Sequence, residues 1–363
     1  MIVSTKLNEN TMMFVDKKYH FNETFNLNTG FYVRSGIIKN GKDTNVDPFM
    51  RSYPTLIDIG IMAKCANAKY CPVGCYQSRH KSEHNMTLDD YKSIIDQIQG
   101  KVTQVALGGA GSPNEHENFE EIMRYTREHD IIPNYTTSGI GLTDDMVRVT
   151  KDFAGAIAVS MYDMPYTYEA IDKFLAAGVT TNIHFVLGND SIDKAISWLK
   201  NPSLVQEGVN AVVFLLHKPV GLGRTSNVLK SDDPKVIEFF SLIGNHKGPW
   251  QIGFDSCTIP GIMNYSTNIM YESIDSCEAG RYSCYITHDM KMIPCSFDNQ
   301  DLRWAVDLRT HTIEEAWNSE QFDKFRSHFV KSCVSCKDKA LCMGGCPIRR
   351  EIVLCDRPEK ELV

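Results

Sequence analysis

Twelve cysteines in a chain of 363 residues pose the first question, because their spacing decides between disulfides, metal ligands and space-filling thiols. The N-terminus, MIVSTKLNENTMMF, lacks the basic start, long apolar stretch and small-residue cleavage site of a secretory signal, and no apolar run reaches membrane-spanning length. A cytoplasmic location is expected, and there thiols stay reduced, so grouped cysteines point to metal or reactive chemistry. Cys65, Cys71 and Cys75 share one short loop, MAKCANAKYCPVGCYQ. Three thiolates on a four-iron cluster leave one iron without a protein ligand, and the amino and carboxylate groups of S-adenosylmethionine can fill that vacancy. An electron passed to the sulfonium would then release a 5′-deoxyadenosyl radical. The alternatives at these residues are a zinc site completed by His80 or His84, or reduced buried thiols.

The elements that must position this loop are legible as alternation. Six Val/Ile/Leu-rich runs are expected as parallel strands: Leu56 to Met62, Val102 to Gly108, Ile131 to Thr137, Gly155 to Tyr162, Thr180 to Gly188 and Asn210 to His217. A helix-period segment follows each, with N-caps expected at Thr87, Thr143 and Ser191 or Asp190. Six sequential βα units suggest an α/β fold with a partial (β/α)6 barrel, whose site would lie at the C-terminal ends of the strands. The cysteine loop comes after the first of them. Gly108, Gly109 and Pro113 close the second run, Thr136, Thr137 and Ser138 the third, and Ser160 the fourth. Hydroxyls there can bind a sugar or carboxylate, or cap the next helix.

Residues 1–54 are polar and Asn-rich, and are expected to form a strand or hairpin and a loop against a main domain over 55–248. The alternation stops near residue 245, and 249–363 form a bridging region and a small cysteine-rich domain. A net charge of −7 with no Lys/Arg stripe argues against a nucleic-acid partner.

From Thr55 to Cys355 the chain resembles the radical S-adenosylmethionine superfamily. The first cysteine loop has five and then three intervening residues where the superfamily commonly has three and then two. LGGAGSP resembles the glycine-rich segment along the methionyl amino group, with Ala110 in place of the usual acidic residue, and TTSG resembles a segment near the ribose. The cosubstrate contacts implied are Tyr76, Gly108, Gly109, Thr137, Ser138, Ser160 and Leu216. Farther on, Cys333-x2-Cys336-x5-Cys342-x3-Cys346 followed by Cys355 resembles the SPASM extension of the superfamily, with Met290 where a glycine is expected. By resemblance to anaerobic sulfatase-maturing enzymes, Cys277, Cys284, Cys295 and Cys346 would ligate one auxiliary cluster and Cys333, Cys336, Cys342 and Cys355 a second, three 4Fe–4S clusters in all. Paired zinc sites are the competing reading of the spacing.

Cys257 is then left over. Its thiol could donate a hydrogen atom to a substrate radical, Asp255 could take a proton when that radical is oxidised, or the cysteine could simply fill space. SPASM-containing relatives mostly modify peptides or protein side chains, so the resemblance implies hydrogen abstraction from a peptide or protein substrate, leading to a cross-link, epimerisation or oxidation. It also implies an external electron donor of flavodoxin or ferredoxin type. A small molecule or cofactor precursor as substrate, or a non-catalytic iron–sulfur electron carrier, are the other readings.

Overall fold

The computed structural model describes residues 1–65, 74–77, 84–329, 333 and 336–355. The first forty residues hold more structure than a hairpin. β1 (Ile2–Asn8), β2 (Thr11–Asp16), β3 (Phe21–Asn26) and β4 (Tyr32–Arg34) form an antiparallel sheet in that order, and β5 (Ile38–Lys39) pairs with β6 (Lys42–Asp43). Alternation in FNETFN turns Phe21, Glu23 and Phe25 inward. The buried Glu23 carboxylate lies 2.7 Å from Arg51 Nε. Arg51 also donates through Nη1 to the carbonyls of Pro54 and Lys101 at 2.7 and 2.8 Å, which ties the N-terminal sheet to the main domain. Removing one partner would leave a buried charge, a cost of about 3–5 kcal/mol.

The six expected strands all form, in chain order and parallel: β7 (Leu56–Met62), β8 (Gln104–Gly109), β9 (Ile132–Thr137), β10 (Ile157–Ser160), β11 (Thr181–Leu187) and β12 (Ala211–Leu216). A seventh, β13 (Gln251–Phe254), adds to β12 beyond the point where the apolar runs end. At the other edge β14 (Ser283–Ile286) pairs parallel to β7, and β15 (Lys291–Ile293) and β16 (Val306–Asp307) continue antiparallel, so the cysteine-rich segment extends the same sheet.

Helices α1 (Leu88–Ile98), α2 (Phe119–Glu128), α3 (Asp144–Phe153), α4 (Pro165–Ala176), α5 (Ile192–Lys200) and α6 (Pro234–Ile243) come after β7 to β12 in turn. The hydroxyls of Thr87 and Thr143 cap α1 and α3 by accepting from Asp90 and Met146 N–H. Ser191 stands at the start of α5, but its hydroxyl bonds back to the carbonyls of Val186 and Gly188. Ile57, Ile59, Val105, Leu107, Tyr135, Val159, Ile183, Phe185, Val212 and Phe214 face the helices and form the core with them. The opposite row, fixed by the register, carries Asp58, Ala106, Asn134, Thr136, Ala158, Asn182 and His184, so the other face is polar. Short helices α7 (Ile259–Tyr265), α8 (Ile313–Trp317), α9 (Glu320–Arg326) and α10 (Lys339–Cys342) complete the α-helices among the described residues.

Candidate functional site

The chain brings its candidate chemistry to the C-terminal edge of the parallel strands. Cys65 comes directly after β7, and Gly111, just after β8, packs against the Lys64 carbonyl and Cys65 Cα. Gly109 ends β8 at φ 118°, where a Cβ would collide with the Met62 carbonyl oxygen, so this turn requires glycine. At Gly108 a Cβ would meet no atom within 4 Å. Cys75 is held from the far side of the sheet, its carbonyl accepting from Leu222 N–H at 3.1 Å. Cys71 lies outside the described residues.

The strand-end hydroxyls divide by face. Ser138 and Ser112 lie 3.1 Å apart through their Oγ atoms and join the loops after β9 and β8. Ser160 sits in the polar row, in register with His184. Thr136 Oγ1 is 3.3 Å from His184 Nδ1, and burial pushes His184 down to about 4, so its ring is neutral at neutral pH. Thr137 and Leu216 point the other way: both side chains are buried, and the Thr137 hydroxyl accepts from Gly139 N–H. Asp58 belongs to no motif in the sequence. It stands in the polar row of β7, and burial raises its carboxyl to about 7.

The segment after Cys295 clasps the first cysteine loop. Tyr76 stacks on Phe297 with ring centroids 4.6 Å apart, and its hydroxyl is pushed up to about 12 by burial. Gln77 donates to the Tyr285 hydroxyl at 3.1 Å and accepts from Asn299 Nδ2 at 2.7 Å.

The C-terminal cysteines line two cavities. Cys333, Cys336, Cys342 and Cys355 line one, together with Pro260, Met263 and Asn264 from α7. Cys277, Cys295 and Cys346 line a second, and the fourth cysteine there is Cys257. Cys284 is elsewhere. It lies on β14 in register with Ile57, packed into the core and 2% exposed. The resemblance to sulfatase-maturing enzymes groups Cys284 with this set; in the structure its register against Ile57 places it in the core row of the sheet. Burial pushes Cys277 up to about 12 and Cys342 to about 11, and Cys257 is raised first by its hydrogen bond with Cys346 and then by burial. Thiols in this state must release protons to bind iron. Among the described residues no three His, Cys, Asp or Glu side chains converge as they would on a single ion. Thiolates of a four-iron cage sit on separate irons around its perimeter, so cavities of this kind suit a cluster.

Lys218, just past β12, reaches the second cavity with its side chain 3% exposed. Its ammonium pairs with Asp255 Oδ2 and lies 4.4 Å from the centre of the Phe297 ring. Burial works against the charge, but Asp255 and the neighbouring thiols outweigh it and hold the lysine above its usual pKa. The other oxygen, Asp255 Oδ1, is buried with no hydrogen-bond partner among the described residues.

Residues 277–343 match the family described as an iron–sulfur cluster-binding domain, SPASM. The chain carries a SPASM domain. Met290, at its expected glycine position, keeps the left-handed backbone with φ 68°. The fold on which the SPASM segment stands is similar to that of three solved structures. Streptococcus suis SuiB bound to the precursor peptide SuiA superposes with a TM-score of 0.69 at 11% identity, over 98% of this chain and 100% of that one. SuiB bound to S-adenosylmethionine gives 0.64 at 14% identity, over 82% and 74%. Native anSMEcpe with bound AdoMet and Cp18Cys peptide gives 0.61 at 18% identity, over 85% and 92%. No curated protein matches in sequence. Among the described residues no helix is long and apolar enough to cross a membrane.

Proposed function

We propose that the chain is a radical S-adenosylmethionine enzyme that abstracts hydrogen from a peptide or protein. The observation carrying this reading is the gathering of Cys65, the glycine-rich turn and hydroxyl-bearing strand ends at one edge of the parallel sheet, in a chain that also holds two cysteine-lined cavities. The sheet then acts as a partial barrel around its polar face, and 55–248, with β13 added, forms its unit. Cys65, Cys71 and Cys75 would hold the first cluster. Held by those residues, a cluster would supply the electron that splits the sulfonium bond of S-adenosylmethionine.

The remaining work falls to the chain's own groups. Gly108 leaves room for the methionyl moiety to approach the backbone, and Ser138 and Ser160 offer hydroxyls to the ribose. Thr137 and Leu216 contribute backbone and shape from the helix-facing row. Cys333, Cys336, Cys342 and Cys355 would hold one auxiliary cluster, and Cys257, Cys277, Cys295 and Cys346 the other. On this reading Cys257 is a ligand rather than a hydrogen-atom donor. Asp255, with its unpartnered oxygen, accepts a proton as the substrate radical is oxidised. A peptide substrate is favoured because SuiB and anSMEcpe, which share this fold, are both seen with peptides. An external flavodoxin- or ferredoxin-type donor would reduce the first cluster.

Anaerobic incubation with dithionite, S-adenosylmethionine and a candidate peptide tests the reading. It predicts 5′-deoxyadenosine together with a mass change in the peptide. Absence of 5′-deoxyadenosine under reducing conditions would make the chain an electron carrier.

A further inference from the structure

The second cavity differs from the first in one respect: a buried cation faces its cysteines. Lys218 lines the cavity alongside Cys257, Cys277, Cys295 and Cys346, whereas its counter-ion Asp255 is not part of the lining. The pair is neutral in sum but oriented, with its positive end toward the place where iron would sit. Arg349 also lines the cavity, at its outer side, where Asp301 and Glu351 lie 3.5 and 4.0 Å away. Phe297 beneath the ammonium keeps water from screening it.

A four-iron cluster with four thiolates is an anion, and reduction adds one more negative charge. A fixed positive end nearby therefore stabilises the reduced form more than the oxidised one. We infer that the Lys218–Asp255 pair is a positioning device that raises the reduction potential of the auxiliary cluster in this cavity, making it the better electron acceptor of the two. The inference rests on the proposed ligand set. It gives this cavity a specific task, to draw an electron from an oxidisable substrate radical, while among the described residues the one cation lining the cavity around Cys333 is the exposed Lys339 of α10.

The test uses the full chain in a Cys65→Ala, Cys75→Ala background, so that the first loop adds no signal, reconstituted anaerobically with iron and sulfide. The potentials of both auxiliary clusters are read by EPR-monitored redox titration. Lys218→Met should shift the reduction equilibrium of one cluster by roughly tenfold toward the oxidised form, about 59 mV for a one-electron couple. Asp255→Asn should shift it the opposite way, and Lys218→Arg should restore the original value. The cluster bound by Cys333, Cys336, Cys342 and Cys355 serves as an internal reference and should not move. Opposite signs for the two halves of one ion pair cannot arise from loosened packing, which would displace both variants alike. Unchanged potentials, or shifts of the same sign, in protein with full iron content would overturn the inference while leaving the ligand set intact. A chain that loads only one auxiliary cluster would overturn the ligand set and the inference with it.

Discussion

Cys257 and Cys284 compete for the fourth position in the second cavity, and single alanine substitutions separate them. Cys257 borders the cavity and hydrogen-bonds Cys346, whereas Cys284 is 2% exposed within the core. Three four-iron clusters amount to about 12 irons per chain. Cys257→Ala leaves three thiolates and one open iron in its cavity, so a chelator challenge after reconstitution, with S-adenosylmethionine present to cover the open iron of the first cluster, should strip about 4 irons and leave about 8. Cys284→Ala should keep all of them. Its cost is confined to packing: removing one buried atom and leaving a small void amounts to about 1 kcal/mol, on the scale of 0.8 kcal/mol per buried methylene. The assay is iron and acid-labile sulfide per chain, with anaerobic thermal unfolding alongside. Iron loss in Cys284→Ala with full retention in Cys257→Ala would refute the assignment.

Two further outcomes concern the strand ends. Gly109→Ala should lower thermal stability markedly, because the residue combines φ 118° with a Cβ pressed onto a backbone carbonyl, whereas Gly108→Ala should fold normally and weaken S-adenosylmethionine binding, as equilibrium dialysis can measure. Unimpaired binding by Gly108→Ala would remove that glycine from the cosubstrate site. Asp58 supplies a pH signature. Its carboxyl is raised from 3.8 to about 7 by burial, so the folded chain holds a proton that the unfolded chain has already released. Stability relative to Asp58→Asn should therefore fall as pH rises from about 4 to about 7 and level off above, as denaturant titration would record; a rise across that window would contradict it.

The parts of the fold that could be read from the chain were the strands rich in Val, Ile and Leu that bury one row against the helices. Continuous Val/Ile/Leu runs marked β7 to β12 within a residue or two, and Thr87 and Thr143 marked their helices. The N-terminal sheet escaped because its buried face mixes Phe21 and Phe25 with Glu23, whose charge is satisfied only by the distant Arg51. β13 and β14 are four residues each, too short for a periodic signal, and their pairing depends on strands far away in sequence. The same limit explains the cysteines. Spacing could count the ligands of the SPASM segment, but the core position of Cys284 follows from the register of SCYI against Ile57 of β7, and Cys257 lines its cavity from a turn twenty residues before Cys277. Lys218 and Asp58 carried no motif at all; their significance comes from burial and neighbours.

The central claim is that Cys65, Cys71 and Cys75 bind a cluster at which S-adenosylmethionine is split. The most direct test compares the oxygen-protected wild type with Cys65→Ala, Cys75→Ala for iron content and 5′-deoxyadenosine formation under dithionite. The wild type should form 5′-deoxyadenosine, while the variant should retain about two-thirds of the iron and form none. Zinc in place of iron and sulfide in the wild type, or undiminished 5′-deoxyadenosine from the variant, would contradict the account.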